Sequence, residues 1–295
     1  MTDQIRPFRQ VDVFADEPFT GNPVAAILGA DGLSTEHMQR ISVWSNLSEC
    51  TFVARPTLDG ADYSVRIFSL STELPFAGHP TLGTARAWLA GGGIPQRDGL
   101  VVQECAAGLI PVRLEGDVLA FAAPPRVRSG PVAPDLLDDV IAILGVDPMK
   151  VIGAEWLDNG PGWIGVLLDS AATVLALQPD ASGHDGVWDI GVIGAAPVGA
   201  DHRFELRAFF TDGSGPLRED PVTGSLNAAA AQWLLASGRV DAPYTAHQGT
   251  ALGRHGRIQV TRDADGIWIG GRAEVVIEGA IRLPPEAFVA ATGPE

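Results

Sequence analysis

Residues 73–92 read ELPFAGHPTLGTARAWLAGG, and residues 219–238 read EDPVTGSLNAAAAQWLLASG. The two stretches align without a gap at an offset of 146 residues (219 − 73), which is about half of the 295-residue chain. Each begins with a glutamate, turns at a Pro-x-x-Gly sequence and continues into a segment rich in alanine and leucine, which is typical of a helix. A match of this kind at half the chain length predicts a fold built by internal duplication.

The sequences on either side of the repeated stretch support the duplication. Upstream, residues 61–69 (ADYSVRIFS) and residues 203–211 (RFELRAFFT) both alternate apolar and polar residues, which predicts strands. Downstream, Gln103 and Gln248 are each followed by a glycine five positions later and then by two alternating segments joined by a turn. Each half therefore reads as strands, a long helix and a closing hairpin, so the predicted fold class is α/β (α+β) with two similar domains.

The boundary between the two domains is predicted near residues 124–135, where the sequence is rich in Pro and Gly and shows little periodicity. On this basis residues 1–127 form the N-terminal repeat domain, and residues 128–273 form the C-terminal repeat domain. The last strand-like segment has no counterpart left in its own half. We therefore expect residues 274–295 to return and complete the first domain.

Composition limits the kind of partner that the protein can have. Lys and Arg number 20 against 36 Asp and Glu, which gives a formal net charge of −16. A chain this acidic repels phosphate backbones and anionic lipids, so neither a nucleic acid nor a membrane surface is an expected partner. The start of the chain lacks an apolar signal core, and no apolar run has the length of a membrane span, so we expect a cytoplasmic protein.

Several well-known sites are absent from the sequence. No Gly-x-Gly-x-x-Gly follows a predicted strand, and neither a phosphate-binding Gly-x4-Gly-Lys-Ser/Thr loop nor a Gly-x-Ser-x-Gly nucleophile turn is present. The two cysteines and the histidines show no metal-ligand spacing. We therefore expect no cofactor and no metal, and the remaining chemistry is acid–base catalysis on a small molecule.

Each repeated helix begins with a glycine, Gly78 in the first half and Gly224 in the second. A helix start exposes unpaired N–H groups and a partial positive charge, and glycine lets an anion approach the backbone closely. Two such starts facing each other across a cleft between the halves would suit a small molecule that bears a carboxylate. The alternative is that Thr223 and Ser225 are ordinary N-caps and that Asp220 and Glu219 are only favourable charges near the helix start.

Glu49 lies at the mouth of the short buried strand ECTFVA, which follows a helix-like segment that ends near Asn46. Burial there would disfavour the charged form of the carboxylate and make it a stronger base, which suits proton abstraction. The alternative is an edge-strand charge that faces water. His79 lies in the first turn of the repeated helix, at the position of Ser225 in the second half, which favours a role in a site over a purely structural one.

Five segments together resemble the phenazine biosynthesis PhzF-like family. They are DVFADEPFTGNPVAAIL (12–28), SNLSECTFV (45–53), ELPFAGHPTLG (73–83), EDPVTGS (219–225) and HQGTALGRHGRIQV (247–260). The resemblance implies the diaminopimelate epimerase fold, in which two similar domains each curl a mixed sheet round a central helix and the site lies between them. It also implies isomerisation of a small molecule without a cofactor, and a homodimer.

The resemblance assigns roles to residues that match the family's motifs. The founding activity of the family moves a proton on the ring of trans-2,3-dihydro-3-hydroxyanthranilate. Glu49 would be the proton shuttle, with His79 and Asp220 as the other catalytic residues, which orient the substrate. The residues implied to bind the substrate are Gly78, Gly224 and Ser225.

Two alternatives from other classes stay open at this point. In the thiol-dependent epimerases and racemases of this fold, paired cysteines lie near the two helix starts, whereas Cys50 and Cys105 lie elsewhere, which disfavours an amino-acid epimerase or racemase. A non-catalytic metabolite-binding protein would keep the cleft without the chemistry. Glu219, which is matched by Glu73 in the first half, is expected to be structural.

Overall fold

The structure is a computed structural model that describes residues 3–211 and 215–288. It separates into two compact units. The first holds the described residues of Met1–Phe121 and Gly271–Glu295, and the second holds those of Ala122–Gly270. Both units mix strands with helices, so the predicted α/β class is confirmed. None of the helices in the described ranges is long and apolar enough to cross a bilayer.

The first unit is a mixed sheet with helices on its two faces. Its elements are β1 (Gln4–Val13), β2 (Asn22–Leu28), α1 (Thr35–Ser45), β3 (Glu49–Ala54), β4 (Tyr63–Ser69), β5 (Glu73–Leu74), α2 (Gly78–Ala90), β6 (Leu100–Cys105), β7 (Gly108–Glu115) and β8 (Val118–Ala122). Neighbouring strands follow the order β1, β2, β3, β4, β6, β7, β8, and β5 pairs with β4. The β2–β3 and β4–β6 pairs are parallel, and the other pairs are antiparallel.

The helix α2 packs on one face of this sheet and α1 packs on the other. A Cβ added to Gly83 of α2 would lie 2.2 Å from Cγ1 of Val24, so glycine is needed where this helix crosses β2. On the opposite face, Phe52 of β3 shares a buried apolar cluster with Met38 of α1. The helix α1 stops before Asn46, whose left-handed backbone ends it where the sequence predicted.

The second unit repeats this arrangement. Its elements are α3 (Pro134–Leu144), a 3-10 turn (Pro148–Lys150), β9 (Val151–Trp156), β10 (Ile164–Leu168), α4 (Ala171–Ala176), β11 (Asp189–Ala195), β12 (Phe204–Thr211), β13 (Leu217–Asp220), α5 (Gly224–Ala236), β14 (Tyr244–Gln248), a 3-10 turn (Thr250–Leu252) and β15 (Gly256–Asp263). Neighbouring strands follow the order β9, β10, β11, β12, β14, β15, and β13 pairs with β12. The β10–β11 and β12–β14 pairs are parallel.

The last strand, β16 (Gly266–Leu283), is one continuous element, whereas the sequence predicted the second strand of the closing hairpin and a separate last strand. Its residues Gly266–Gly270 pair with β15 in the second unit, and its residues from Ala273 onward pair antiparallel with β1 in the first. A 3-10 turn (Pro285–Ala287) follows. Residues 289–295, which belong to the segment expected to complete the first domain, lie outside the described residues.

The central helices of the two units correspond residue for residue. Both α2 and α5 have 13 residues, and their first residues, Gly78 and Gly224, are separated by the 146 positions of the sequence repeat. A Cβ added to Gly191 of β11 would lie 2.2 Å from Cδ1 of Leu226, so α5 crosses its sheet as closely as α2 does. The predicted duplication of a helix on a mixed sheet is therefore confirmed.

Glu73 and Glu219 perform the same task in the two units. Arg66 of β4 donates from Nε and Nη2 to the Glu73 carboxylate at 2.7 and 2.6 Å. Arg207 of β12 donates in the same way to the Glu219 carboxylate at 3.0 and 2.7 Å. Each pair ties the start of the turn before the central helix to the middle of the sheet, which agrees with the prediction that Glu219 is structural.

The strand register corrects one detail of the sequence comparison. In the sequence, the stretches 61–69 and 203–211 match at an offset of 142 residues (203 − 61). In the structure Phe68 pairs with Glu73, and Phe209 pairs with Glu219, so β4 and β12 correspond at an offset of 141 (209 − 68). The offset changes to 146 only in the connection to the next strand, which is longer in the second half.

Loss of Glu219 should cost more stability than loss of Glu73. The side chains of Arg207 and Glu219 are 6% and 10% exposed, whereas those of Arg66 and Glu73 are 38% and 34% exposed. Glu219→Gln removes the carboxylate that binds a buried guanidinium directly, which costs about 3–5 kcal/mol, while an exposed pair contributes about 0–1 kcal/mol. Urea unfolding of Glu219→Gln and Glu73→Gln measures both losses, and equal losses would contradict this interpretation.

Candidate active site

Glu49 and His79 come together in the first unit. Glu49 is the first residue of β3, and Thr51, two residues further on, accepts a hydrogen bond from the Thr84 hydroxyl of α2 at 2.8 Å. Because alternate side chains of a strand share a face, Glu49 also points to the side of α2. Its Oε2 lies 3.2 Å from Nε2 of His79, the second residue of that helix, although the contact lacks the alignment of a hydrogen bond. Catalytic contacts are often loosely aligned before a substrate binds.

Burial decides the state of this pair. The side chain of Glu49 is 17% exposed and that of His79 is 5% exposed. The strand β3 lies between β2 and β4, so the alternative of an edge-strand charge that faces water is wrong. Burial lowers the pKa of His79 to about 3, so its imidazole is neutral at neutral pH and carries a single N–H.

Asn22 and Ser48 orient the imidazole of His79. The Nδ2 atom of Asn22 lies 3.4 Å from Nδ1 of His79, and the Ser48 hydroxyl donates to Oδ1 of Asn22 at 3.3 Å. Since the amide oxygen is engaged by Ser48, the amide nitrogen is the atom that faces the ring, and Nδ1 accepts. The single N–H of the neutral ring is therefore on Nε2, the atom that faces Glu49.

Asp12 holds the turn that precedes Asn22. Its buried carboxylate accepts hydrogen bonds from the backbone N–H groups of Thr20 at 3.1 Å and Gly21 at 3.0 Å. A Cβ on Gly21 would lie 2.2 Å from the carbonyl oxygen of Val13, so only glycine fits where the turn passes the end of β1. The turn thereby delivers Asn22 to the first position of β2.

Sequence reasoning did not select Asp12, Asn22 or Ser48 as residues of the site. All three lie in the segments 12–28 and 45–53, which resemble the family's motifs. That resemblance was the one feature of the sequence that could have indicated a role for them. Their contacts join positions as far as 57 residues apart, so the spacing of residues along the chain could not reveal them.

In the second unit, Gln248 holds the start of α5. Its Oε1 accepts from the Thr223 N–H at 3.0 Å and from Nδ2 of Asn227 at 2.8 Å. Its Nε2 donates to the Thr223 hydroxyl at 2.9 Å and to the Asp220 carbonyl at 3.1 Å. The Thr223 hydroxyl donates in turn to Oδ2 of Asp220 at 2.5 Å, so the Asp220 carboxylate is held beside the first turn of the helix.

Ser225 is the second residue of α5. Trp163 donates from Nε1 to the Ser225 hydroxyl at 3.0 Å, and Asn159 donates from Nδ2 to the Ser225 carbonyl at 2.9 Å. The N-cap residues are Ala77 for α2 and Thr223 for α5, and neither side chain caps its helix. Thr223 thus holds the N-cap position without capping through its side chain, and Ser225 lies inside the helix, so the alternative of ordinary N-caps at these two residues is wrong.

The predicted site residues thus form two groups, each at the start of its unit's central helix. They are Gly78, His79 and Glu49 in the first unit, and Asp220, Gly224 and Ser225 in the second. Each group contains a carboxylate and a polar side chain on the second residue of the helix. The chemistry available in the first group is proton transfer by a carboxylate beside a neutral imidazole.

The two thiols are poorly placed for acid–base chemistry. Cys50 is fully buried with the Ser45 hydroxyl 3.1 Å from its sulfur, and burial raises the pKa of its thiol. Cys105 ends β6, and burial raises the pKa of its thiol as well. Neither cysteine lies at the start of α2 or α5, and a thiol with a raised pKa is a poor source of thiolate.

Asp201, His202 and His247 come together in the second unit, although their spacing in the sequence predicted no metal site. The rings of His202 and His247 are stacked, with centroids 3.8 Å apart and planes 10° from parallel. A ring nitrogen binds a metal in the plane of its ring, so two parallel rings do not converge on one ion. Arg257 also forms an ion pair with Asp201, so this carboxylate already has a cationic partner.

Comparison with known proteins agrees with this architecture. A family model described as phenazine biosynthesis-like protein matches residues 11–279. The trans-2,3-dihydro-3-hydroxyanthranilate isomerase of Pseudomonas aeruginosa is 34% identical over 290 residues, which cover 92% of this chain and 98% of that protein. Antisense-enhancing sequence 1 of Schizosaccharomyces pombe is 34% identical over 294 residues, which cover 92% and 97% of the two chains.

Solved structures show the same fold. A phenazine biosynthesis protein of the PhzF family from Enterococcus faecalis superposes with a TM-score of 0.76 at 25% identity, covering 94% of this chain and 99% of that one. A hydroxyproline epimerase from Agrobacterium vitis shares the fold at a TM-score of 0.56 and 15% identity, covering 96% and 94%. The chain belongs to the phenazine biosynthesis-like family. It is an isomerase, as the named enzymes among its relatives are.

The imidazole of His79 should stay neutral in mild acid. Because burial lowers its pKa to about 3, the ring should be uncharged at pH 5, where an exposed histidine is mostly protonated. Nitrogen-15 NMR of the histidine rings should show the Nε2–H tautomer in the wild type. In Asn22→Ala the ring should remain neutral but lose its preference for that tautomer. A protonated His79 in the wild type at pH 5 would contradict this assignment.

Proposed function

We propose that this isomerase moves a proton on a small metabolite that bears a carboxylate and an amino or hydroxyl group, without a cofactor. The observation that carries the proposal is the 3.2 Å approach of Glu49 to a neutral His79 at the start of α2. Relatives at 34–36% identity are named for an anthranilate derivative, which is a molecule of this class.

In the proposed reaction, the Glu49 carboxylate removes a proton from one carbon of the substrate and becomes a carboxylic acid. It then gives a proton to a second carbon, so a double bond moves while no atom is gained or lost. His79 supports the carboxylate through its Nε2–H. A neutral imidazole donates without the full positive charge that would make Glu49 a weaker base, which suits a group that must both take and return a proton.

We assign binding roles to the two helix starts. Gly78 and Gly224 begin helices that have no capping side chain, so their backbone N–H groups can bind a carboxylate. The Asp220 carboxylate, which Thr223 orients, can accept a hydrogen bond from an amino or hydroxyl group of the substrate. The Ser225 hydroxyl accepts a hydrogen bond within the protein, so its own proton can be donated to the substrate.

Two other functions are less well supported. An epimerase or racemase that works through paired thiols needs reactive cysteines at the helix starts, and Cys50 and Cys105 lie elsewhere with raised pKa values. A protein that only binds a metabolite does not need a buried carboxylate next to an oriented, neutral imidazole. The side-chain network around Glu49 and His79 therefore favours catalysis.

Deuterium exchange tests the proton transfer. The protein is incubated in D2O with trans-2,3-dihydro-3-hydroxyanthranilate and a panel of small amino and hydroxy carboxylates, and mass spectrometry and NMR follow deuterium uptake and product. Glu49→Gln should slow exchange by about 10²- to 10⁴-fold, because the general base is removed. Glu115→Gln, which changes an exposed carboxylate of β7, is the matched control and should leave the rate unchanged.

The same experiment separates the alternatives. Exchange that survives Glu49→Gln and is lost in Cys50→Ser or Cys105→Ser would overturn the glutamate mechanism in favour of a thiol mechanism. Binding of a panel member to the wild type without any exchange would indicate a metabolite-binding protein.

A homodimer and a cytoplasmic location remain part of the proposal, as the family resemblance and the sequence imply. Light scattering after size-exclusion chromatography should give about twice the chain mass of 30.9 kDa. A mass near that of one chain at micromolar concentration would contradict the dimer.

A further inference from the structure

Asp189 occupies in the second unit the place that Glu49 occupies in the first. Each is the first residue of a strand that has one parallel and one antiparallel neighbour. The strand β3 lies between β2 and β4, and β11 lies between β10 and β12. The sequence repeat did not show this correspondence, because the two strand sequences, ECTFVA and DIGVIGA, share few residues.

The register of the antiparallel neighbours supports the equivalence of the two carboxyl groups. In β4 the residue opposite the carboxylate is Ser69, three residues beyond Arg66. In β12 the residue opposite is Phe210, three residues beyond Arg207. Since both arginines bind the matching glutamate of their own unit, they fix the alignment of the two sheets. The two carboxyl groups therefore stand at the same position of the duplicated fold.

Asp189 points to the side of the sheet that α5 covers. Gly191, two residues further along β11, lies so close to α5 that an added Cβ would be 2.2 Å from Cδ1 of Leu226. The intervening residue, Ile190, belongs to the apolar core on the opposite face. Because alternate side chains share a face, the Asp189 carboxyl lies on the side of α5.

The residue of α5 that corresponds to His79 is Ser225, since each is the second residue of its central helix. Both Asp189 and Ser225 lie beside the segment that leads into β10. Trp163 donates to the Ser225 hydroxyl at 3.0 Å, and a Cβ added to Gly162 would lie 4.0 Å from Oδ2 of Asp189. The pair Asp189 and Ser225 is thus the counterpart in the second unit of Glu49 and His79.

The surroundings of Asp189 suit a carboxyl that receives a hydrogen-bond donor from outside the protein. Among residues 3–211 and 215–288, no Lys, Arg or His forms an ion pair with it. Burial, together with the nearby charge of Asp158, raises the pKa of Asp189 to about 7. The carboxylate of Asp158 accepts hydrogen bonds from the N–H groups of Gly160 and Gly162, so its contacts lie within its own turn and it does not bind Asp189.

We propose that Asp189 contacts the substrate and that its carboxyl accepts a hydrogen bond from an amino or hydroxyl group of that molecule. This inference rests on the proposed function, and it adds a second acceptor, besides Asp220, for the amino or hydroxyl groups of the proposed substrate. It gives the two equivalent carboxyls different tasks. The task of Asp189 is to accept a hydrogen bond, whereas the task proposed for Glu49 is proton transfer.

Binding measurements with four aromatic carboxylates test this role. The probes are 3-hydroxyanthranilate with both donors, anthranilate with the amino group, 3-hydroxybenzoate with the hydroxyl group, and benzoate with neither. Isothermal titration calorimetry compares the wild type with Asp189→Asn, and Asp185→Asn serves as an exposed control four residues upstream. Asp189→Asn should weaken binding of 3-hydroxyanthranilate, and of the single-donor probe that carries the contacting group, by about 10- to 100-fold and leave benzoate unchanged.

A second readout distinguishes contact from a merely structural role. Titrations at pH 7 in buffers of different ionisation enthalpy report protons released on binding. A donor that binds Asp189 favours its ionised form, so the wild type should release a fraction of a proton that Asp189→Asn does not release. Whether anthranilate or 3-hydroxybenzoate shows the effect identifies the amino or the hydroxyl group as the partner.

Three outcomes would overturn the inference. They are equal weakening of all four probes in Asp189→Asn, unchanged binding in that variant, and no binding of any probe to the wild type. Failure of the proposed function is recognised separately, because it appears as a wild type that binds the probes but catalyses no exchange sensitive to Glu49→Gln.

Discussion

A carboxylate buried beside a neutral imidazole is the arrangement on which the rest of the candidate site depends. Glu49 is a stronger base when it is removed from bulk water, and it takes up a proton more readily when no full positive charge beside it favours its ionised form. The depressed pKa of His79 meets the second condition, and the position of Glu49 within the sheet meets the first. The turn held by Asp12 and the amide of Asn22 then determine which ring nitrogen faces the carboxylate.

The same two kinds of contact hold the start of the central helix in both units of the duplicated fold. A buried glutamine supports the first turn of each central helix. Gln103 donates to the Thr81 hydroxyl at 2.9 Å in the first unit, and Gln248 accepts from Nδ2 of Asn227 at 2.8 Å in the second. An Arg–Glu pair ties the turn before each helix to the sheet. The glutamine and the Arg–Glu pair thus hold the start of each central helix in place. The N-cap side chain does not bind the first backbone N–H groups of the helix.

The central helices, the strand of Glu49 and the two-unit plan could be predicted because they depend on local patterns, such as the Pro-x-x-Gly turn, an apolar run and a repeat. The contacts that complete the site could not. Asn22 lies 57 residues before His79, and no pattern in one chain reports a contact of that range. Asp189 could not be predicted as a site residue from the sequence. Its equivalence to Glu49 depends on the register of the strands, which is known only once the pairing of neighbouring strands is known. The apolar strand that follows Glu49 predicted that its carboxylate is buried. The neutral state of His79 could be assigned only from the structure, because it depends on how deeply the imidazole is buried.

The most direct test of the account is a crystal structure with 3-hydroxyanthranilate, an aromatic ligand that carries the same three groups as the dihydro compound and has no saturated ring carbon from which a proton could be moved. The account predicts a ring carbon about 3–3.5 Å from a carboxylate oxygen of Glu49, the separation needed for reaction, with His79 still beside that carboxylate. A ligand bound out of reach of Glu49, or a Glu49 side chain turned into solvent in the complex, would contradict it.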